Sequence, residues 1–342
     1  MHAEPSSRVA IDDLLPSLVA RLEIDDEWLL WADRRVTWWA GDLAQYFWIE
    51  PMALPDGRPA IRLHAETDYL RVTPLLELHY PALSLALGLA TTSSLYLNSS
   101  AKVLRFHCAL NSVEESNEAE LDLFAAAAAL QVAEAYKRSA AHQLTDRQPW
   151  LELAVTSHPQ TGRREQIDLV AGHFDLTNDQ PLMTSWLDGD ELGATEQQLS
   201  QLGWHLLDRQ ARRCHFSYGS RAQQGSWWQS AALVIDTSVR HPELGAGVRL
   251  QLTKRPFAVP LASVAHLPFL LNSDEHDTFR MTASFGAWGL QIDPASGMPL
   301  LQLTCFFPTM LGRPTLLAQL AVMMHRRHLH TEQRLRQMQQ FC

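Results

Sequence analysis

The stretch "VLRFHCALNS", residues 103–112, has a counterpart in "LLQLTCFFPT", residues 300–309. Each is an alternating strand pattern built around one cysteine, Cys108 or Cys305, and the two cysteines stand 197 residues apart. Each stretch runs through a turn into an apolar helix, "EAELDLFAAAAALQVAEAYKR" in the first case and "RPTLLAQLAVMMHRRHLH" in the second. A strand followed by a helix is common. The same pair of elements at two places in one chain points to an internal repeat.

The surrounding sequence agrees. Upstream of the first strand lie "VTWWAGDLAQYFWIEP", a turn-rich "MALPDGRPA" and "IRLHAETDYL". Upstream of the second lie "GSWWQSAALVIDT", "SVRHPELGAG" and "VRLQLTKRPF". Trp38 and Trp227 are 189 residues apart, and Arg62 and Arg249 are 187 apart. Each copy also opens with a helical pattern. "IDDLLPSLVARL" sets Ile11, Leu14, Leu15, Leu18, Val19 and Leu22 on one face. "TEQQLSQLGWHLLDRQARR" offers Leu199, Leu202, Leu206 and Leu207 for the same role, with Thr195 as its cap. Middle helices are expected in "TPLLELHYPALSLALGL" and "PLASVAHLPFLL".

Each copy therefore reads as a helix, two or three strands, a helix, two strands and a closing helix. Strands clustered between helices predict an α+β fold: two tandem pseudo-symmetric lobes, each an antiparallel sheet packed with helices. The expected divisions are a first repeat over 1–140, a connecting hairpin and loop over 141–193, and a second repeat with a basic C-terminal helix over 194–342.

Bulk properties narrow the class. The chain has 342 residues, 46% hydrophobic and 19% charged, which is ordinary for a folded protein of two domains. A formal net charge of −10 disfavours a broad nucleic-acid surface. The four cysteines show no paired metal-binding spacing and no disulfide framework. The acidic start does not read as a signal peptide, and the longest apolar runs are too short to span a bilayer. A cytoplasmic setting is expected. "NSS" at Asn98 matches a glycosylation pattern that such a setting would leave unused.

Adjacent His107 and Cys108 resemble a nucleophile with its base, but neighbours on a strand point to opposite faces. The second copy keeps the cysteine and has Thr304 in place of the histidine. Cys108 therefore reads as a packing residue. Cys214 and His215, where a helix was expected to give way to a strand, offer a second such pair without a nearby Asp or Asn. His325, His328 and His330 form the most metal-like cluster, with His325 and His328 on one helical face. Arg326 and Arg327 sit among them, which favours a basic helix end over a cation site. "DEHD", residues 274–277, and "DGDE", residues 188–191, lack calcium-loop spacing and read as solvated loops. No catalytic residue, metal site or cofactor is assigned. The tail after Val322, with Arg326, Arg327, Arg334 and Arg336, contrasts with the acidic remainder and suits an acidic partner or nucleic acid.

Tryptophan carries more information. Among the eleven are two adjacent pairs, Trp38–Trp39 and Trp227–Trp228. On a strand each pair places one ring on either face, so these four are the candidate partner-binding residues. The alternative is that both faces are covered.

The order of elements and its double occurrence resemble the type III secretion chaperone-like fold and its YbjN-type relatives, over about residues 9–140 and 195–335. The resemblance implies dimer-like pairing, here replaced by a pseudo-twofold monomer or a weak dimer, and binding of extended client segments. It transfers no site residue. The expected function is a non-catalytic, chaperone-like adaptor that engages a partner protein through an aromatic sheet or inter-repeat surface. The alternative is a small-ligand sensor or cryptic enzyme with a pocket between the repeats.

Overall fold

In a computed structural model, the described residues are 8–9, 11–40, 43–54, 57–87, 92–113, 116–144, 152–160, 162, 191–219, 231–241, 245–256, 259–308 and 315–339. The architecture is α+β with two lobes, each built on a six-stranded antiparallel sheet.

The first half runs β1 (Arg8–Val9), α1 (Leu14–Arg21), β2 (Leu29–Ala32), β3 (Arg35–Ala40), β4 (Leu43–Ala53) and β5 (Pro59–Arg71). It continues with α2 (Pro74–Glu77), α3 (Tyr80–Ala86), β6 (Ser94–Asn98), β7 (Val103–Val113), β8 (Ser116–Asn117) and α4 (Glu118–Leu144). The second half contains α5 (Glu191–Gln201), β9 (Trp204–Gln210), β10 (Arg213–Tyr218), β11 (Ala231–His241) and β12 (Gly245–Pro256). It ends with α6 (Leu261–Val264), α7 (Leu267–Thr278), β13 (Ala287–Ile292), β14 (Pro299–Pro308) and α8 (Leu316–Gln339).

The sheets share one topology. The first orders its strands β2-β3-β4-β5-β7-β6 and the second β9-β10-β11-β12-β14-β13. Among the described residues, four strands of each six-stranded sheet, not the expected two or three, precede the middle helices. The cause is the long meander: β4 and β5 are joined by a tight turn at Gly57, whose amide donates to the Leu54 carbonyl at 2.8 Å.

One expected helix is shorter than its periodicity suggests. Leu206 and Leu207 lie on β9, because Gly203 adopts a φ of +88° and ends the helical path after Gln201. Thr195 lies inside α5 and does not cap it; its hydroxyl donates to the Glu191 carbonyl at 2.6 Å.

Compactness divides the chain differently from the repeat. The first unit comprises 1–77, 95–175 and 280–285; the second comprises 78–94, 176–279 and 286–342. Most of the connecting hairpin expected over 151–174 lies outside the described residues. Its described part begins along β5, where the Ala154 amide donates to the Tyr69 carbonyl at 2.9 Å.

In the first unit α4 packs on β5 and β7, and α1 packs on α4 and β4. Alternation explains the core. Leu63, Ala65, Leu104, Phe106 and Cys108 are all buried on one face of the sheet. Ala125, Ala127, Ala128 and Ala129 of α4 are buried too, their low relief letting the helix lie close to the strands. In the second unit Leu250, Leu252, Leu303 and Cys305 play the equivalent role beneath α8. Cys108 opposes Ala65 and Cys305 opposes Leu250. Arg62, however, opposes Asn111, three residues beyond its cysteine, and Arg249 opposes Phe306, one residue beyond its own. The cysteine and arginine equivalences thus differ by two residues, a slip that preserves the face.

Candidate functional site

The other face of the first sheet is built from every second residue of three central strands. Arg62, His64, Glu66 and Asp68 on β5 oppose Glu50, Trp48 and Tyr46 on β4, and Asn111, Ala109, His107 and Arg105 on β7. Directly opposed residues on neighbouring strands share a face, so this row of ionisable groups is fixed by register alone. Arg62, His64, Glu66, Asp68 and His107 are all buried. Buried charges demand partners, and here they find one another.

Arg105 bridges two carboxylates, with Nη1 at 3.0 Å from Glu66 and Nε at 2.5 Å from Asp68. Its guanidinium also lies 4.7 Å from the centre of the Tyr46 ring, and that tyrosine donates its hydroxyl to Asp68 at 2.8 Å. Tyr96 donates its hydroxyl to Glu66. Burial, reinforced by Asp68, raises the Tyr46 phenol; burial and Glu66 raise that of Tyr96. Both therefore stay protonated as donors. Burial works against the Arg105 charge, but Asp68 and Glu66 outweigh it and hold the guanidinium firmly cationic.

A second chain of contacts starts at the rim. Glu50 accepts from Arg280 Nε at 3.1 Å and lies 3.0 Å from His64 Nε2. His64 Nδ1 in turn lies 3.1 Å from His107 Nε2, and the His64 ring stacks on Trp48 with centroids 4.4 Å apart. The hydrogen bond from His64, aided by the Arg280 charge, lowers Glu50 to about 2. With Glu50 ionised, His64 donates from Nε2, and the bond between the rings carries one proton. Arg62 completes the face by donating to Asn111, to the Thr282 carbonyl at 2.8 Å and to Ser284 Oγ at 2.6 Å.

This arrangement is a continuous chain of polar contacts from Glu50 through His64 to His107. Its members also satisfy one another, which is the signature of a rigidifying buried network. The corresponding face of the second sheet carries Arg249, Gln251 and Thr253 against Phe306, Thr304 and Gln302. Two of the acidic and histidine-bearing rows have become neutral there. The charged face is thus a property of one lobe and not of the repeat.

The sequence-derived candidates are distributed as follows. Trp38 is fully buried and stacks on Phe47 at 6.3 Å; Trp39 is also buried, its ring meeting His158 at 4.8 Å. The second ring of this pair therefore meets the chain itself rather than solvent. Trp227 and Trp228 lie outside the described residues. His107 and Cys108 point to opposite faces, His107 into the charged row and Cys108 into the core. Burial raises the Cys108 thiol and pushes that of Cys305 up to about 12, which removes the thiolate a nucleophile needs. Cys214 and His215 sit within β10, where Cys214 is buried.

His325 and His328 do share a helical face, but their Nδ1 atoms are committed. His325 Nδ1 accepts from the Trp204 indole at 3.1 Å, and His328 Nδ1 lies 2.6 Å from Lys254 Nζ. His330 joins Arg334 in holding Asp274. Burial opposes the Asp274 charge, yet these two partners lower it overall. Residues 274–277 lie in α7 rather than in a loop, and Glu275 is buried against Arg327 at 2.6 Å. Of residues 188–191, only Glu191 is described, at the start of α5. Among the described residues no three His, Cys, Asp or Glu side chains are grouped to hold a metal ion, and no helix is long and apolar enough to cross a membrane.

The charged face escaped the sequence reading, although its signal is visible. "RLHAETD", residues 62–68, and "RFHCALN", residues 105–111, place polar or ionisable groups at alternate positions. The intervening residues are apolar enough to mark a core face, so the alternate set could only be buried by mutual pairing.

Comparison with protein-family models, curated proteins and solved structures finds no match.

Proposed function

We propose that this protein is a non-catalytic, chaperone-like adaptor that takes an extended segment of a partner protein along β9. The observation that carries this reading is the state of that strand. Among the described residues β9 ends its sheet, and after buried Trp204 its six residues His205–Gln210 are all exposed, Leu206 and Leu207 among them. An edge strand presents unpaired backbone donors and acceptors, and exposed leucines add apolar anchoring.

The occupant is a foreign segment rather than a second copy. β9 pairs with β10 through a bulge: His215 opposes Asp208 while Phe216 opposes Leu206, leaving Leu207 as the extra residue. Self-pairing around a twofold would have to match bulge against bulge, which interrupts the ladder at its centre. A short partner segment need only follow one side of it. Beside the strand runs a groove lined by Gly193, Glu196, Gln197, Ser200 and Gln201 of α5 and by Arg209. Gly193, Ala194 and Ser200 leave room for side chains of a bound strand, while Arg209 is held by Glu196 at 2.9 Å. The resemblance to secretion chaperones favours the same kind of client, an extended polypeptide.

The non-catalytic half of the proposal rests on the commitments described above: buried thiols held protonated, histidines bonded to neighbours, and carboxylates paired with arginines. The test begins with a partner that co-purifies with the full chain and is narrowed to a synthetic peptide. Leu206→Asp and Leu207→Asp are each expected to weaken peptide binding at least about tenfold, a change of about 1.4 kcal/mol, without altering the thermal midpoint. Unchanged affinity in both variants overturns the assignment to β9.

A further inference from the structure

The second unit contains two bases in direct buried contact. Lys254 reaches from β12 to α8, its Nζ 2.6 Å from His328 Nδ1. Lys254 is 3% exposed and His328 is 0% exposed. The first unit has a neutral strand-to-helix bond in a comparable place. Gln131 on α4 donates to Thr67 on β5 at 3.1 Å. Gln131 and His328 are separated by the same 197 residues as the two cysteines, whereas Lys254 lies two residues further along its strand than the register counterpart of Thr67. Each lobe thus ties its closing helix to its sheet, by an amide and a hydroxyl in the first and by an amine and an imidazole in the second.

The two versions differ in what a proton does to them. The amide–hydroxyl bond has no titratable member. The amine–imidazole bond forms when the pair carries one proton, donated from nitrogen to the lone pair of its neighbour. It also survives as a neutral amine–imidazole bond. A second proton removes the acceptor lone pair and leaves two cations at hydrogen-bond distance in a dry interior.

Among the described residues, the groups around the pair offset that second charge only in part. On α8, His325 is occupied by the Trp204 indole of β9, and Glu332 Oε2 lies 3.9 Å from His328 Nε2 while also holding Arg336. Arg326, also on α8, adds a further positive charge near His325. On β10 the Tyr218 ring lies edge-on to His328 at 4.8 Å. α5, which packs on α8, directs Glu191 to the Thr315 amide and Glu196 to Arg209.

We propose that Lys254 and His328 form a proton-operated latch that ties α8 to its sheet and releases it when both bases are protonated. The direction of the individual groups agrees. Burial, only partly offset by Glu332, lowers Lys254 to about 7. Burial, together with the Lys254 and His325 charges, holds His328 well below the usual histidine value. Unfolded lysine titrates near ~10.4 and histidine near ~6.5. The released chain therefore binds more protons than the docked one from about pH 10 to about pH 7 through Lys254, and again below about pH 6.5 through His328. Docking strengthens as pH rises through both windows and weakens as it falls. The proposal is independent of what binds β9.

Hydrogen exchange on the full chain tests it, with rates corrected for the intrinsic pH dependence. Between about pH 8 and about pH 5.5 the amides of α8 from Met323 to Leu335 are expected to lose protection at least about tenfold in the wild type. Lys254→Met, which keeps the length of the side chain and removes the base, is expected to lose clearly less, because only burial and the His325 charge then oppose protonation of His328. Equal loss in both proteins, or no loss in the wild type, overturns the latch. Should Lys254→Met fail to fold, side-chain NMR of the wild type decides the matter. The chain has three lysines, Lys102, Lys137 and Lys254. One of them must titrate near neutrality; three titrations all above about pH 9 overturn the proposal.

Discussion

Arg327 Nη2 lies 2.6 Å from Glu275 Oε2, and both side chains are shielded from water. The pair ties α8 to α7. Glu275 also accepts the Trp288 indole at 2.8 Å, and the Arg327 guanidinium donates to the Gly286 carbonyl at 3.3 Å. Removing one charge leaves the other buried and uncompensated. Arg327→Met alone is expected to cost about 3–5 kcal/mol in urea unfolding. Arg327→Met combined with Glu275→Gln keeps an acceptor for Trp288 and is expected to recover most of that loss. A double variant no more stable than the single one would show that the guanidinium matters through Gly286 instead.

Glu50 makes the fold sensitive to acid through His64. Its folded pKa of about 2 lies below the value near ~4.3 for an unfolded glutamate. A carboxyl lowered in this way contributes stability above the unfolded value and loses it as pH falls toward the folded one. Glu50→Gln is therefore expected to be less stable than wild type at about pH 6, with the gap closing by about pH 2. Partial exposure of Glu50 keeps the effect modest. Chemical denaturation at a series of pH values reads it directly, and a gap that stays constant with pH refutes the role of the charge.

The architecture was legible because it is written twice. Cys108 and Cys305, with the strands around them, mark equivalent interior positions, and the shared strand order follows. The helix expected through Leu206 and Leu207 was misplaced because leucines spaced for a helix also suit a bulged strand, and a single glycine, Gly203, decides between them. The charged face was missed for another reason. His64, Glu66, Asp68, Arg105 and His107 look like solvent-facing residues when each strand is read alone. Only the register between β5 and β7 reveals that they pair with one another. The Lys254–His328 contact joins residues 74 positions apart on different elements, and no local pattern marks it. Within the Trp38–Trp39 pair, Trp39 meets His158, a residue from a segment that the strand pattern around Trp39 does not foretell.

The buried thiols give a chemical check on the core. Cys108, Cys214 and Cys305 are all free and buried, and burial raises each thiol. In a Cys342→Ser background, which removes the cysteine outside the described residues, a thiol reagent at neutral pH is expected to label the native protein only at the rate of unfolding. Labelling in denaturant should be complete at once. Rapid labelling of Cys108 or Cys305 in native buffer would mean that α4 or α8 does not cover its sheet.

Two glycines separate backbone strain from crowding. Gly57 and Gly286 both have positive φ, +81° and +78°, so alanine at either position adopts a left-handed conformation. A Cβ at Gly57 meets nothing within 4 Å, whereas one at Gly286 lies 2.2 Å from the Thr304 carbonyl oxygen and 2.8 Å from Cys305 Cβ. Gly57→Ala is expected to cost about 1–2 kcal/mol, the conformational term alone. Gly286→Ala must also push β14 away, and β14 is buried along its whole length. The shift disturbs the Gly286 amide bond to the Thr92 carbonyl and the carbonyl that receives Arg327. Its cost is therefore expected to exceed that of Gly57→Ala by at least about 2 kcal/mol in denaturant unfolding. Equal costs would show that β14 can yield at Thr304, and that Cys305 is less tightly confined than its burial implies.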